Sequence, residues 1–515
     1  MATDTAQGIG AQTLKGMFWS YGSFVGVRLA SLLTTAVLAR LLAPRDFGLI
    51  ALATTFMAFL DMLQGLGVSQ ALVVSEPDLV EAEADTAFVV STTVGVALFI
   101  LSAALGPLAA SLFHQPRLVE VMPALGLTFL MYGVSSTHYA LAMRDIDFRS
   151  RTAAELADAI TRGGVGIVLA LAGLGVWSLI AGYVAGTVGL TVVLWRMVSW
   201  RPRWHPQRKH LRRLLTFGGA LTGVSVMAAF LGQFDNALVG RVLGTTQLGF
   251  YSMAGRLPYI LIISLAVATG QVMFPAFAKL DGEDLRRGYL IALRYTAAIA
   301  LPLTAGLIVL ARPITLIVFG SRWGPAVLPT QILCAWALMS PINMICGNGL
   351  RATNHATLLF MLAIPQAVAL VVGSLLFVHQ GIVAISWVQA AIAIVAQCAT
   401  LQFTDRALGV SLRRVVRALA PPVLASLVLA AVFYGIDRTI GRAVPAVVLS
   451  VVVGGVIYLG LIYLLMPDLL SRLRSIIFGR SPPKVADTPR GDAARPVAVV
   501  AAVGKGADGE PTNVG

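Results

Sequence analysis

The sequence predicts an all-α, polytopic membrane protein with about 14 transmembrane helices, arranged as two parallel-repeat six-helix lobes plus two C-terminal helices. Composition is the first reason, because 57% of the 515 residues are hydrophobic and 12% are charged, against about 45–50% and about 25% in soluble domains. The second is a mean hydropathy of +0.83, which requires apolar segments to recur along the chain. The third is an internal repeat at an offset of 201 residues. An ordinary soluble enzyme is excluded.

Windows of about 20 apolar residues, long enough to cross a bilayer as a helix, recur along the chain. The first six are Phe18–Leu38, Phe47–Val74, Ala87–Phe113, Val119–Met143, Ala153–Leu174 and Val176–Val198. The next six are Leu214–Val242, Leu248–Phe277, Tyr289–Phe319, Ala326–Leu350, Ala356–Val378 and Ile382–Phe403. The last two are Val415–Gly435 and Ala443–Met466.

These windows predict the domain organisation. We expect an N-lobe at residues 14–198, a basic cytoplasmic linker at 199–213, a C-lobe at 214–403 and two further helices at 404–466. Residues 467–515 are rich in Pro, Ala and Gly, which is typical of a disordered tail.

The distribution of basic residues predicts the orientation. With the N-terminus inside, 26 Lys and Arg fall on the inner side, seven fall in the outer connections and five lie within spans. Cytoplasmic loops carry such an excess, so both termini should be cytoplasmic and the net charge of +14 mostly reports topology rather than nucleic-acid binding. One inner loop, Ser75–Thr86, is acidic, but acids weigh little in this rule.

The internal repeat aligns the turn after the first span with the turn after the seventh. It pairs Arg40 with Arg241 and Gly48 with Gly249 without a gap. Because an even number of spans separates the copies, the halves should share one orientation, related by a pseudo-two-fold axis along the membrane normal, with a central cavity between them. This is transporter architecture. We interpret the repeated arginines as caps among the last carbonyls of their own helices.

The connections between spans leave no room for a folded extramembrane catalytic domain, since none exceeds about 20 residues. Cys334, Cys346 and Cys398 lie in apolar stretches without C-x-x-C spacing, so we expect neither a disulfide framework nor a metal site. No Walker A motif is present, which argues against direct use of ATP. We therefore expect a transporter rather than an enzyme, with no cofactor.

Two segments resemble a known family. One reads Phe234-Asp-Asn-Ala-Leu-Val-Gly-Arg-Val-Leu-Gly-Thr-Thr-Gln-Leu-Gly-Phe-Tyr-Ser-Met-Ala-Gly-Arg-Leu, and the other reads Leu38-Ala-Arg-Leu-Leu-Ala-Pro-Arg-Asp-Phe-Gly-Leu. Both look like signatures of Wzx-type polysaccharide flippases in the multidrug, oligosaccharidyl-lipid and polysaccharide exporter superfamily, which have two helical lobes. The resemblance extends from about Leu14 to Leu465 by span order. A third segment departs from the family pattern, in which a Gly-Arg pair more usually replaces Asn354-His355.

The resemblance implies a function in the bacterial inner membrane. It implies flipping of undecaprenyl-pyrophosphate-linked oligosaccharides from the cytoplasmic to the periplasmic leaflet by alternating access, for lipopolysaccharide, capsule or exopolysaccharide synthesis. The implied partners are the lipid-linked oligosaccharide, membrane lipids, a polysaccharide polymerase and a chain-length regulator, and no nucleic acid. Two alternatives stay open: a membrane polymerase or ligase, disfavoured by minimal outer loops, and an ion-coupled drug exporter of the same fold.

Five arginines fall within predicted spans: Arg28, Arg162, Arg256, Arg294 and Arg312. Arg28, Arg162 and Arg256 lie about 14 Å deep at 1.5 Å per residue, where facing lipid would cost each at least about 2.5–3.5 kcal/mol. Arginine binds phosphate through a bidentate fork. We hypothesise that Arg28 and Arg256, less directly Arg162 and Arg294, hold the lipid pyrophosphate. The alternatives are an ion pair of Arg162 with Asp158 four residues earlier, and snorkelling of Arg294 to the interface.

Two intramembrane acids are candidates for ion coupling. Asp235 lies in the seventh span within the family-like motif, and Asp61 is the alternative in the second span. Either could bind H⁺ or Na⁺ as the lobes move, or form a buried salt bridge to one of the arginines. Interrupted helices that provide kinks or hinges are expected near Pro258, Pro302, Pro341 and Pro365, in the eighth to eleventh spans.

Overall fold

The fold is all-helical, as predicted. The computed structural model describes residues 26–65, 72, 79–145, 147–204, 207, 232–264, 273, 277–353, 355–440 and 444–466, and no strand occurs among them. Helices α1 to α6 comprise residues 26–41, Pro44–Gly65, Val80–Phe113, Leu118–Arg144, Phe148–Leu171 and Val176–Met197. Helices α7 to α14 comprise residues 232–242, Gly244–Ala254, Gly282–Val318, Val327–Ala352, Ala356–Phe377, Ile382–Leu408, Leu412–Ile440 and Val444–Leu465. The predicted tail at 467–515 lies outside the described residues.

Within the described ranges, ten helices are long and apolar enough to cross a membrane. The other four predicted spans have identifiable reasons for falling outside that set. Helices α1 and α7 are described only in part, and α5 carries Glu155, Asp158 and Arg162 within its apolar stretch. Helix α8 ends at Ala254 and continues as a helical turn, Arg256–Pro258, and a π-helical turn, Tyr259–Ile263. The predicted interruption at Pro258 is therefore present. The interruptions predicted near Pro302, Pro341 and Pro365 are wrong, because these prolines lie inside the continuous helices α9, α10 and α11.

Local chemistry explains where two helices begin. Helix α3 begins before the predicted Ala87 because Glu81 and Glu83 lie in its first turn, where acids are favoured by the helix dipole. Asp147 caps α5, with its carboxylate accepting the Ser150 backbone N–H at 3.1 Å. Burial tends to raise the pKa of Asp147, but this hydrogen bond and those from the Ser150 hydroxyl and the backbone outweigh burial and hold that pKa below its usual value.

Helix packing divides the chain around one seam. In the first half, α3 packs on α4, α5 on α6, and α4 on α6; in the second, α10 packs on α12 and α9 on α10 and α13. The halves meet where α2 packs against α8. This seam lies at the end of the helices that carries the connections 42–43, 114–117 and 319–326. We call it the outer end, following the orientation predicted from the sequence.

The repeat glycines meet at this seam. A Cβ atom on Gly48 would lie 1.7 Å from the Thr245 carbonyl oxygen, and one on Gly249 would lie 2.0 Å from the Pro44 carbonyl oxygen. The two backbones therefore approach as closely as glycine permits, in the small-residue packing common between membrane helices. Equivalent positions of the repeat face each other, as expected near a pseudo-two-fold axis.

We expect Gly48→Ala to destabilise the protein. Alanine normally stabilises a helix interior relative to glycine by about 0.5–1 kcal/mol, but here the added methyl group meets backbone, and overpacking of this kind costs about 1–3 kcal/mol. Gly164→Ala in α5 is the matched control, because its Cβ would meet nothing within 4 Å. Thermal melting in detergent should show a lower Tm for Gly48→Ala alone. An equal or higher Tm would contradict the close approach.

The interpretation of the repeated arginines as caps of their own helices is wrong. Arg40 Nε donates to the carbonyl of Val318 at 3.3 Å, and Arg40 Nη2 donates to the carbonyl of Ile317, both at the end of α9. Arg241 Nη1 donates to Nδ1 of His114, where α3 ends, at 2.6 Å. Each arginine projects from its own helix end to a helix end of the other half.

The first residues of the basic linker bind to α3. The Arg203 backbone N–H donates to Asp85 at 3.0 Å, its guanidinium pairs with Glu81 at 3.3 Å, and Trp204 contacts Phe88 edge-on with 5.4 Å between ring centroids. Two acidic residues of the inner loop Ser75–Thr86, Glu81 and Asp85, are therefore partners of the linker.

Candidate functional site

A cavity of about 510 Å³ lies between the two halves. Five helical segments contribute to it: α1, α2, α5, α6 and the region of α8 that continues through Tyr259. Its polar lining residues include Arg28, Ser31, Thr34, Thr54, Asp158, Arg162, Tyr183, Arg256 and Tyr259. Three of the four arginines proposed from the sequence thus line one cavity.

The cavity arginines lie near the middle of the membrane. Counted along their helices from the outer end, Arg162, Arg256 and Arg28 are about 14, 18 and 20 Å deep at 1.5 Å per residue. These depths agree with the burial inferred from the spans. A cavity offers the polar surroundings that guanidinium groups require at such depth.

Arg28 and Arg256 each contact the opposite half. The Arg28 guanidinium carbon lies 5.9 Å from the centroid of the Tyr259 ring, and Arg256 Nη2 donates to Ser31 Oγ at 3.2 Å. Both partners lie three residues after the arginine of their own helix, so the contacts are reciprocal. The helix interruption after Ala254 places Arg256 and Tyr259 at this point.

Arg162 combines the two roles that the sequence left open. Its Nη2 lies 2.8 and 3.0 Å from the carboxylate oxygens of Asp158, so the intrahelical pair is present. Its guanidinium also lies 4.4 Å from the Tyr183 ring centroid and faces the cavity. Gly186 makes room for the pair, since a Cβ there would lie 2.4 Å from Asp158 Oδ1. The net charge of the pair is zero, and the other charged residues among the described lining of this cavity are Arg28 and Arg256.

Arg294 lies elsewhere. It projects from α9 and donates from Nη2 to the carbonyl of Leu465, at the end of α14, at 3.2 Å. It does not line the arginine cavity. The structure therefore brings together Arg28, Arg162 and Arg256 and leaves Arg294 outside.

Asp235 is a buried carboxylate held by three donors. It is 7% exposed and accepts hydrogen bonds from the Tyr251 hydroxyl at 2.6 Å, from Gln389 Nε2 at 2.7 Å and from the Asn236 backbone N–H at 2.9 Å. Among the residues that the structure describes, no basic side chain forms an ion pair with it. The salt-bridge alternative for Asp235 therefore finds no partner in that part of the chain.

A second cavity of about 510 Å³ reaches Asp235. Besides Asp235, its polar lining includes Gln233, Asn236, Tyr251, Gln366 and Gln389. Ser252, Arg256 and Tyr259 line both cavities. The carboxylate pocket and the arginine pocket are therefore neighbours that share a wall.

Asp61 lies in the first half, away from Asp235. Its side chain is exposed, and Asp61 lines neither cavity.

Sequence reasoning missed the partners that hold these groups. Ser31 and Tyr259 contact the arginines, and Tyr251 and Gln389 bind Asp235. Gln389 had a usable signal, because an amide inside an otherwise apolar span requires a polar partner. Tyr251 lies within the family-like motif.

Comparisons with known proteins agree with this architecture. Residues 37–328, more than half of the chain, match the family described as "Polysaccharide biosynthesis protein". The chain is 26% identical to the succinoglycan biosynthesis transport protein ExoT of Rhizobium meliloti, over 92% of this chain and 97% of ExoT. It is 23% identical to the lipopolysaccharide biosynthesis protein WzxC of Escherichia coli, over 68% of this chain and 72% of WzxC.

A solved structure shares the fold. The lipid II flippase MurJ, in an inward closed conformation, superimposes with a TM-score of 0.71 at 16% identity, covering 88% of this chain and all of that one. The resemblance to Wzx-type proteins and the predicted two-lobed exporter fold are thereby confirmed. The chain belongs to the polysaccharide biosynthesis protein family.

Proposed function

We propose that this protein is a flippase that moves undecaprenyl-pyrophosphate-linked oligosaccharide units from the cytoplasmic to the periplasmic leaflet of the bacterial inner membrane. The observation that carries the proposal is the mid-membrane cavity into which each half places an arginine, Arg28 from the first and Arg256 from the second. A pyrophosphate has two phosphoryl groups, and guanidinium groups bind phosphate oxygens through paired hydrogen bonds. The similarity to ExoT, which is named as a succinoglycan biosynthesis transport protein, also supports a transport function.

We base the proposed transport cycle on the contact between α2 and α8, where the two halves meet. We take residues 14–198 and 214–403 as the two moving lobes, with both chain termini cytoplasmic. The lipid pyrophosphate enters from the cytoplasmic leaflet, Arg28 and Arg256 hold it from opposite lobes, and separation of α2 from α8 releases it outward. Arg162 supports the cavity wall through Asp158. Arg294, beside the end of α14, takes a lesser part near the cytoplasmic side.

Ion coupling is assigned to Asp235. Its buried carboxylate lies against the wall that the two cavities share, so binding of H⁺ or Na⁺ there changes the electrostatic environment of Arg256. Asp61 is the alternative coupling group. A polysaccharide polymerase and a chain-length regulator are the expected protein partners, because flipped units require assembly on the outer leaflet.

Two other functions are less favoured. An exporter of cationic drugs needs an acidic lumen, whereas the described lining of the central cavity has three arginines and one aspartate. A polymerase or ligase needs acid-base groups outside the membrane. At the outer end, the ring of His114 accepts a hydrogen bond from Arg241, so its Nδ1 is occupied by a structural contact.

A strain lacking this protein tests the proposal. We expect complete lipid-linked repeat units to accumulate on the cytoplasmic leaflet, where membrane-impermeant enzymes added outside cannot reach them. Re-expression of the protein restores export. Unpolymerised units on the outer leaflet would instead indicate a polymerase or ligase.

A further inference from the structure

The outer end carries a second set of arginine contacts, distinct from the cavity. Arg40 and Arg241 are equivalent positions of the 201-residue repeat. Arg40 binds the end of α9, the third helix of the second half, while Arg241 binds His114 at the end of α3, the third helix of the first half. The contacts therefore follow the repeat symmetry, and each crosses from one half to the other.

The Arg40 contact is a helix cap, whereas Arg241 binds the side chain of the residue that ends α3. The last carbonyls of a helix lack intrahelical donors and carry the negative end of its dipole, so they attract a cation. Arg40 supplies two N–H groups to the carbonyls of Ile317 and Val318. His114 has a left-handed φ of 51°, which ends α3 and presents its ring to Arg241.

The chain after α9 adds two bonds in the opposite direction. Arg322 Nη1 donates to the carbonyl of Leu42 at 3.1 Å, and Trp323 Nε1 donates to the carbonyl of Ala39 at 2.9 Å, both at the end of α1. Trp323 is fully buried, with Phe47 of the first half and Phe250 of the second packed edge-on against it. The outer ends of α1 and α9 are thus each capped from the opposite half, while α3 is contacted from it through the His114 ring.

We propose that Arg40, Arg241 and Arg322 form a latch that holds the outer end shut and breaks when the halves separate to release substrate. The inference rests on the proposed transport function. Lobe separation at this end removes the cation caps of α1 and α9 together with the Arg241–His114 contact, so the closed state gains stability from contacts that the outward-open state lacks. The repeated arginines act as gating residues, and the substrate does not contact them.

Cysteine accessibility from outside tests the latch. A reporter, Thr54→Cys, lies on α2 in the wall of the central cavity, in a background where the exposed Cys398 is replaced by serine. A membrane-impermeant maleimide is added to cells whose outer membrane has been permeabilised. We expect it to label the reporter cysteine slowly when Arg40 and Arg241 are intact. Labelling should be roughly tenfold faster or more in Arg40→Ala/Arg241→Ala, since a hydrogen bond to a charged group shifts an equilibrium by about that factor.

Three comparisons make the result decisive. Arg117→Ala removes another exposed outer-end arginine and should leave labelling unchanged. Arg40→Lys keeps the charge but not the guanidinium fork, and should give an intermediate rate. The single alanine variants carry the test if the double variant fails to fold, as judged by its size-exclusion profile. Unchanged labelling in well-folded variants, or equal acceleration by Arg117→Ala, would overturn the latch.

The labelling rate needs no substrate. If the latch variants label faster but the deletion strain still exports glycan, the latch is supported and the flippase function is refuted. If the latch variants label slowly but the deletion strain accumulates units on the cytoplasmic leaflet, the flippase function is supported and the latch is refuted.

Discussion

Replacing both Arg28 and Arg256 with alanine should abolish glycan export while the protein stays at its normal level. The two arginines line one cavity from opposite halves, where both can contact the same pyrophosphate. Hydrogen bonds to charged groups contribute about 1.5–3 kcal/mol each, so loss of both predicts a fall of roughly 100-fold or more. Export is measured as surface polysaccharide in the complemented deletion strain.

Matched arginine variants separate this role from a general effect of charge. Arg28→Lys/Arg256→Lys retains charge without the bidentate fork and should recover only part of the activity. Arg312→Ala removes an exposed arginine of α9 that does not line the cavity, and export should be normal. Normal export by the double alanine variant at normal abundance would exclude the pyrophosphate site.

Asp235→Asn should remove the dependence of transport on the driving ion. Asparagine keeps the shape of the side chain and can still engage Tyr251 and Gln389, but it neither titrates nor attracts a cation. We expect export at least about tenfold lower, a change of about 1.4 kcal/mol, with a flat response to external pH or Na⁺. Transport into inverted vesicles, with the gradient imposed across the membrane, measures this directly.

Asp405 is the matched control for Asp235. It is also a buried carboxylate of the second half that accepts a tyrosine hydroxyl, from Tyr289 at 3.1 Å, but it lies outside both cavities. Asp405→Asn should retain the ion response. If Asp61→Asn abolishes that response and Asp235→Asn does not, coupling belongs to the first half and our assignment is wrong.

The sequence predicted the features that depend on one helix at a time. Hydropathy and spacing located the spans, the mid-membrane depth of Arg28 and Arg256, and the Asp158–Arg162 pair. The repeat predicted a cavity between two halves, since parallel halves must face each other across an axis. Family-like motifs singled out the segment that carries Asp235.

Features that depend on how helices are rotated against one another could not be predicted from the sequence. Arg256 and Ser31 are 225 residues apart, and no periodic pattern specifies that they touch. Arg294 was grouped with the cavity because its helix was known but not the direction its side chain takes toward α14. The same limit explains the wrong prediction that Arg40 and Arg241 cap their own helices. Those helix ends are the nearest acceptors along the sequence, but the helix ends of the other half lie closer in space.

Arg256 belongs to the walls of both cavities, and this sharing imposes a thermodynamic constraint. If an ion at Asp235 alters the affinity of the central cavity for an anion, the anion must alter the affinity for the ion by the same factor, because linkage is reciprocal. A drug-sized anion that occupied the central cavity would therefore shift the ion titration of a purified sample without touching Asp235. Equilibrium binding measurements alone, with no membrane and no gradient, can therefore report how the coupling ion and the cargo change each other's affinity.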